Sequence, residues 1–167
     1  MSHPLVLAMF PSVAPAVEAA LGLHALGVGR EQISVVARDH AQSRTLADRM
    51  DATPGVELED SPLAARLGEL SGQVLAAIAV GMPGIGPIVA AGPLAAELGE
   101  AAGHAAGGLA SVLKRAGFPA ERAETVQRDV ARGAVLIGVH LATPDVDRVR
   151  DSLSRAGATH VDILTWR

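Results

Sequence analysis

Between Glu69 and Glu97 the chain carries no charged residue, and this run, Leu70 to Ala96, is cut by Pro83, Pro87 and Pro93 with Gly81, Gly84, Gly86 and Gly92 among them. Proline removes a backbone donor and its ring clashes with the preceding helical turn, so no single helix can pass through the segment. Neither side of the break supplies the roughly 20 strongly apolar residues that a bilayer-crossing helix needs. The polypeptide must turn here, and whatever apolar surface flanks the turn must find cover. Two environments meet that demand: burial against further copies of the chain, or a hairpin that dips into or lies on a membrane surface.

The two ends read differently. "PLVLAMF" (4–10) is an apolar run bounded by Pro4 and by Pro11-Ser12, as expected of a buried strand. A helix is predicted next, capped by Ser12, with Val13, Val17, Leu21 and His24 on one face and Gly27 and Gly29 stopping it. "EQISVVAR" (31–38) then reads as a second strand. The C-terminal end repeats this grammar: strand "AVLIGVHL" (134–141), an N-cap at Thr143-Pro144, Val146, Val149, Leu153 and Ala156 at helical spacing, a stop at Gly157, and strand "THVDILTW" (159–166). Two β-α-β units of nearly equal length predict an α+β fold: a ferredoxin-like split β-α-β sheet domain formed by residues 1–40 and 133–167, with two helices on one face of a four-stranded antiparallel sheet. That plan leaves the other face of the sheet open as an interface.

Roughly 95 residues separate the second and third strands, too many for a structureless loop. The segment 41–132 is therefore a helical insertion between strands 2 and 3. Ser61-Pro62 opens a helix that runs to about Met82, "PGIGPIVAAGP" breaks it, and Pro93 opens a second arm ending before Gly117, which together make a Gly/Ala-rich helical hairpin over 61–116. "PAERAETVQRDVAR" (119–132) adds an amphipathic helix with Ala123, Val126 and Val130 in line and Gly133 at its end. Gly99, Gly103 and Gly107 recur every fourth residue and lay bare backbone along one side of the second arm. Such a groove suits close helix packing, within the chain or between chains, with Pro83, Gly84, Gly86 and Pro87 shaping the bend. Glycines inside a helix cost about 1 kcal/mol each relative to alanine, so the packing they permit must return more than that.

The strand and helix at the N-terminal end, "ISVVAR", the segment "PGIGPIVAAGPLAA" and the run "GFPAERAETVQRDVARGAVLIGVH" together resemble the general stress protein (YflT-like, heat-induced stress) domain family and its glycine-rich relatives. The resemblance covers nearly the whole chain and implies a fold and a stress-associated context, without a catalytic mechanism. The second hairpin arm departs from the pattern, because such relatives carry almost purely Ala, Gly and Leu there, whereas this chain has Glu97, Glu100 and His104.

Those three residues sit at i, i+3 and i+7, which gathers two carboxylates and an imidazole on one helical face, a spacing compatible with a divalent metal or with proton exchange. One helix alone contributes them, so assembly about a symmetry axis would be needed to complete a ligand set. "GMPGIGP" lacks phosphate-loop spacing, joins helix to helix in this reading, and loses donors to its prolines; it reads as a turn. His24, His140 and His160 fall on predicted core elements, as packed or rim residues.

With 14 basic against 18 acidic residues, a net charge of -4 and no basic cluster, nucleic acid is excluded as an expected partner. The chain has no cysteine, which removes thiolate chemistry and Cys-based metal sites. The start "MSHPLVLAMFPSVAPAVEAA" has no basic n-region, and its apolar run is interrupted by Pro11, Pro15 and Glu18, so a cytoplasmic protein is expected. The expectation is a non-enzymatic, cofactor-free protein that self-assembles as a homo-oligomer through its small-residue hairpin. The alternatives are a peripheral membrane protein and a metal or small-ligand sensor built on Glu97, Glu100 and His104.

Overall fold

A computed structural model describes residues 2–38, 78–82, 86–94, 108–142 and 145–166. Strand β1 (His3–Phe10) leads into helix α1 (Val13–Ala25), a 3-10 turn (Arg30–Gln32) and strand β2 (Ile33–Arg38). Strands β3 (Ile78–Met82) and β4 (Gly86–Ala91) follow, then helices α2 (Leu109–Arg115) and α3 (Ala120–Ala131), strand β5 (Val135–His140), helix α4 (Val146–Arg155) and strand β6 (His160–Trp166). The six strands form one sheet in the order β3-β4-β2-β5-β1-β6, and every neighbouring pair is antiparallel.

This order is not the simple four-strand ferredoxin arrangement that the sequence predicts. β3 and β4 come from the glycine- and proline-rich segment and lengthen the sheet beyond β2. The predicted helix-break-helix is thereby corrected at its centre: residues 78–82 and 86–91 are paired strands, from Ile78↔Ala90 to Met82↔Gly86. The reason lies in what prolines and β-branched residues permit. Among the described residues Pro87 pairs with Gly81 of β3 alone, and β4 meets β2 from Ile88 to Ala91. A proline without a donor fits there without removing a bond from the β2 ladder. Ile78, Val80, Ile88 and Val89 favour the extended backbone once a neighbouring strand is available. The flanking parts of the predicted hairpin, 61–77 and 95–107, lie outside the described residues.

β1 and β5 are buried along most of their length, as continuous apolar runs covered on both faces should be. Alternation sends Leu5, Leu7 and Met9 to one face, where with Val36, Leu136 and Ile88 they meet Leu109, Leu113 and Phe118 and, on α3, Ala123, Val126 and Val130. Val6, Ala8 and Phe10 point the other way and join Val35, Ile137 and Val139 against Ala16, Ala19 and Leu23 of α1 and Val149 and Leu153 of α4. The expected open face is therefore corrected as well. α2 and α3 cover one side of the sheet and α1 and α4 the other, because the amphipathic stripe Ala123-Val126-Val130 needs the same cover that the sheet does.

α1 lies rotated from its predicted position. The buried residues are Ala16, Ala19 and Leu23, while Leu21 and His24 are exposed. Alanines bring the helix backbone close to the sheet, and Gly22 lets it approach α4, where a β-carbon would stand 3.0 Å from Ser152 Oγ. Ser12 holds the N-cap position of α1, yet its side chain makes no capping bond. α4 starts at Val146 with Asp145 at the N-cap position, and Thr143-Pro144 lie outside the described residues. α2, whose N-cap Gly108 offers no side chain, has the Ala110 amide donating to Gln127 Oε1 of α3 at 2.9 Å. At the C-terminal end of α3, Arg38 Nη1 donates to the Ala131 carbonyl at 2.6 Å, a cation placed on the negative end of the helix.

Candidate functional site

Antiparallel register gathers polar side chains from four strands at one end of the sheet. Leu5 pairs with His140, His3 with Trp166 and Ser34 with Gly138. His3, Ser34, His140 and Trp166 therefore meet at the end where β1 and β2 begin and β5 and β6 finish. His3 Nε2 and His140 Nδ1 are 3.0 Å apart, and His140 Nε2 is 3.2 Å from Ser34 Oγ. The Leu94 amide donates to the same Ser34 hydroxyl oxygen at 3.0 Å. Gln32 Nε2 donates to the His140 carbonyl at 3.0 Å, and Gln32 Oε1 accepts from the Gly29 amide at 2.9 Å. The indole of Trp166 stands edge-on to the His140 ring with centroids 5.1 Å apart.

The proton positions follow from satisfying every buried group. Ser34 is wholly buried and already accepts from Leu94, so its own proton needs an acceptor, and His140 Nε2 is the one at hand. His140 then carries its proton on Nδ1 and donates to His3 Nε2. A protonated His140 would have to donate from both nitrogens and would strand the serine proton. Burial, with the neighbouring His3 charge adding to it, accordingly lowers the His140 pKa from 6.5 to about 4. The chain of bonds runs Leu94 to Ser34 to His140 to His3, and only His3, half-buried, meets solvent. A serine with no exposed surface cannot reach a substrate, so the cluster ties β1, β2, β5 and the chain after β4 together at their common end.

The sequence places His140 in the core correctly. It does not reveal His3 and Ser34 as its partners, since they become neighbours through the register of strands far apart in the chain. His24 is exposed in the last turn of α1 and His160 is exposed at the far end of β6, so neither joins the cluster. Glu97, Glu100 and His104 lie outside the described residues, as do Gly99, Gly103, Gly107, Pro83 and Gly84. Gly86 and Pro87 open β4, where they pair with Met82 and Gly81. "GMPGIGP" joins strand to strand, which corrects the helix-to-helix reading.

Among the described residues no group of three metal-ligating side chains converges, and no helix is long and apolar enough to cross a membrane. A shallow groove of about 320 Å³ runs between α1 and α4, lined by Gly22, Leu26, Arg148, Asp151, Ser152 and Arg155. Arg155 Nε donates to the Asp151 carbonyl at 3.3 Å.

The outer edge of β6 is a second feature that the sequence reading does not single out. Among the described residues β6 pairs only with β1. Its middle residue Ile163 is 47% exposed, and Val161, Leu164 and Trp166 are half-buried. Asp162 on this strand is held by Arg122 of α3. The chain matches no protein-family model, no curated protein and no solved structure.

Proposed function

We propose that this chain is a non-enzymatic, stress-associated cytoplasmic protein whose role is to assemble with copies of itself. The stress context rests on the resemblance to the general stress protein domain family. In this reading β1-α1-β2 and β5-α4-β6 are the two halves of a ferredoxin-like split β-α-β unit, supported by the neighbour order β2-β5-β1-β6. The glycine-rich segment lengthens that unit at its β2 edge.

One observation carries the assembly reading: among the described residues, helices of the same chain cover both faces of the sheet, while the edge strand β6 has β1 as its sole strand partner and presents an exposed Ile163. Open edges of this kind template pairing with another strand. The polar cluster at the sheet end fits a packing role, because its serine is wholly buried. The test is the solution mass of the full chain, measured by light scattering from low to high micromolar concentration in buffer without detergent. A multiple of 17.0 kDa is expected. A mass of 17.0 kDa at every concentration would remove the assembly role.

A further inference from the structure

We infer that two copies of this chain join through β6, antiparallel to one another about a two-fold axis at Ile163, so that the two sheets continue as one. The inference rests on the assembly reading above and specifies its surface.

The strand is built to meet itself. β6 spans His160–Trp166, and its midpoint, Ile163, is also its most exposed apolar residue. An antiparallel pairing centred there sets Ile163 opposite its own copy, Asp162 opposite Leu164, Val161 opposite Thr165 and His160 opposite Trp166. Opposed residues in such a pair point to the same face. The layer containing Leu164 and Trp166 in one copy therefore continues into that of the other, and so does the layer containing Val161. Half-buried apolar side chains on both faces gain cover together.

Charge and backbone agree with this occupant. Asp162 and its copy would stand diagonally across the axis, a repulsive arrangement for bare carboxylates. Each is already neutralised by Arg122, so the junction carries two acids and two guanidinium groups and no net charge. β6 contains no lysine and no proline, the residues that commonly blunt an edge. Every second residue of β6 turns its N–H and C=O away from β1, a row that another extended strand can pair in register. A two-fold junction also closes after two copies, whereas pairing of β6 with the opposite edge, β3, would run on into a filament.

The absence of cysteine makes the register directly readable. Mild oxidation of the full-length Ile163→Cys variant should link two chains, since opposed β-carbons lie about 5 Å apart. The Thr165→Cys variant should not link to itself, because its copies would stand four residues apart along the strands, about 14 Å. Ile163→Lys, a change at an exposed position, should leave the circular dichroism spectrum unchanged and weaken dimerisation at least about tenfold by opposing like charges. A mass of twice 17.0 kDa with efficient linkage at 163 and none at 165 establishes the junction. Assembly that persists in Ile163→Lys, or equal linkage at both positions, would overturn the β6 junction while leaving self-assembly standing. Growth into filaments would overturn the two-fold axis. A chain that stays monomeric would end both readings.

Discussion

A methyl group on Gly92 would lie 2.1 Å from the Ile33 carbonyl oxygen, and its φ of +84° is a conformation that side chains other than hydrogen resist. Gly92→Ala should therefore destabilise the fold by at least about 2 kcal/mol, read as a lowered urea midpoint, because strain and backbone collision act together. Ser34→Ala acts by a different route. It deprives the Leu94 amide and His140 Nε2 of their shared partner in a dry interior, and a loss of about 1 to 3 kcal/mol is expected from the same measurement. The pH dependence of His140 has a definite sign. Unfolded, the imidazole binds a proton near pH 6.5; folded, it stays neutral down to about pH 4, so between these values the unfolded chain holds the extra proton. The contribution of His140 is complete above about pH 6.5 and falls away as the pH drops toward 4, a change of about 2 kcal/mol after discounting for residual solvent. Urea melts at about pH 7.5 and 4.5 should show that loss, and His140→Gln should flatten it.

α2 illustrates how an element too short to stand alone is held in place. Its seven residues could not sustain a helix in water, yet Leu109, Ala110, Val112 and Leu113 are buried, and Gln127 of α3 caps its start. Leu113→Ala should cost about 2 to 5 kcal/mol, the range for a core leucine whose cavity cannot collapse, and a thermal melt would read it. The elements legible in the sequence are those whose pattern is self-contained. β1, β2, β5 and β6 stand out as apolar runs between breakers, and Ala123-Val126-Val130 and Val149-Leu153 announce the inner faces of α3 and α4. α1 misleads because its larger apolar residue Leu21 faces solvent while small alanines face the sheet. β3 and β4 mislead because three prolines and several glycines signal a break in a helix, and their strand identity depends on β2, which lies some 40 residues earlier in the chain. The polar cluster was hidden for the same reason. Nothing near His140 in sequence points to His3 or Ser34, and only the register brings them within hydrogen-bond distance.

At the scale of the whole molecule, the covered faces and open edge decide which surfaces remain for a partner. A sheet with one bare face would invite face-to-face stacking, whose strength follows buried apolar area. With α2 and α3 on one side and α1 and α4 on the other, the proposed assembly extends in the plane of the sheet, where backbone hydrogen bonds would set the register. Such an assembly has a thermodynamic signature that needs no structural probe. If two folded copies separate only when they unfold, each tenfold rise in total protein adds about 1.4 kcal/mol to the apparent stability. The midpoint of thermal unfolding should then climb steadily between about 2 and 200 μM chain, a range set by the energy per decade and not by the fold. Ile163→Lys, a change at an exposed position, should unfold at a lower midpoint than the parent protein at each concentration. A parent chain whose midpoint stays fixed across the whole range would show that its stability resides in a single copy.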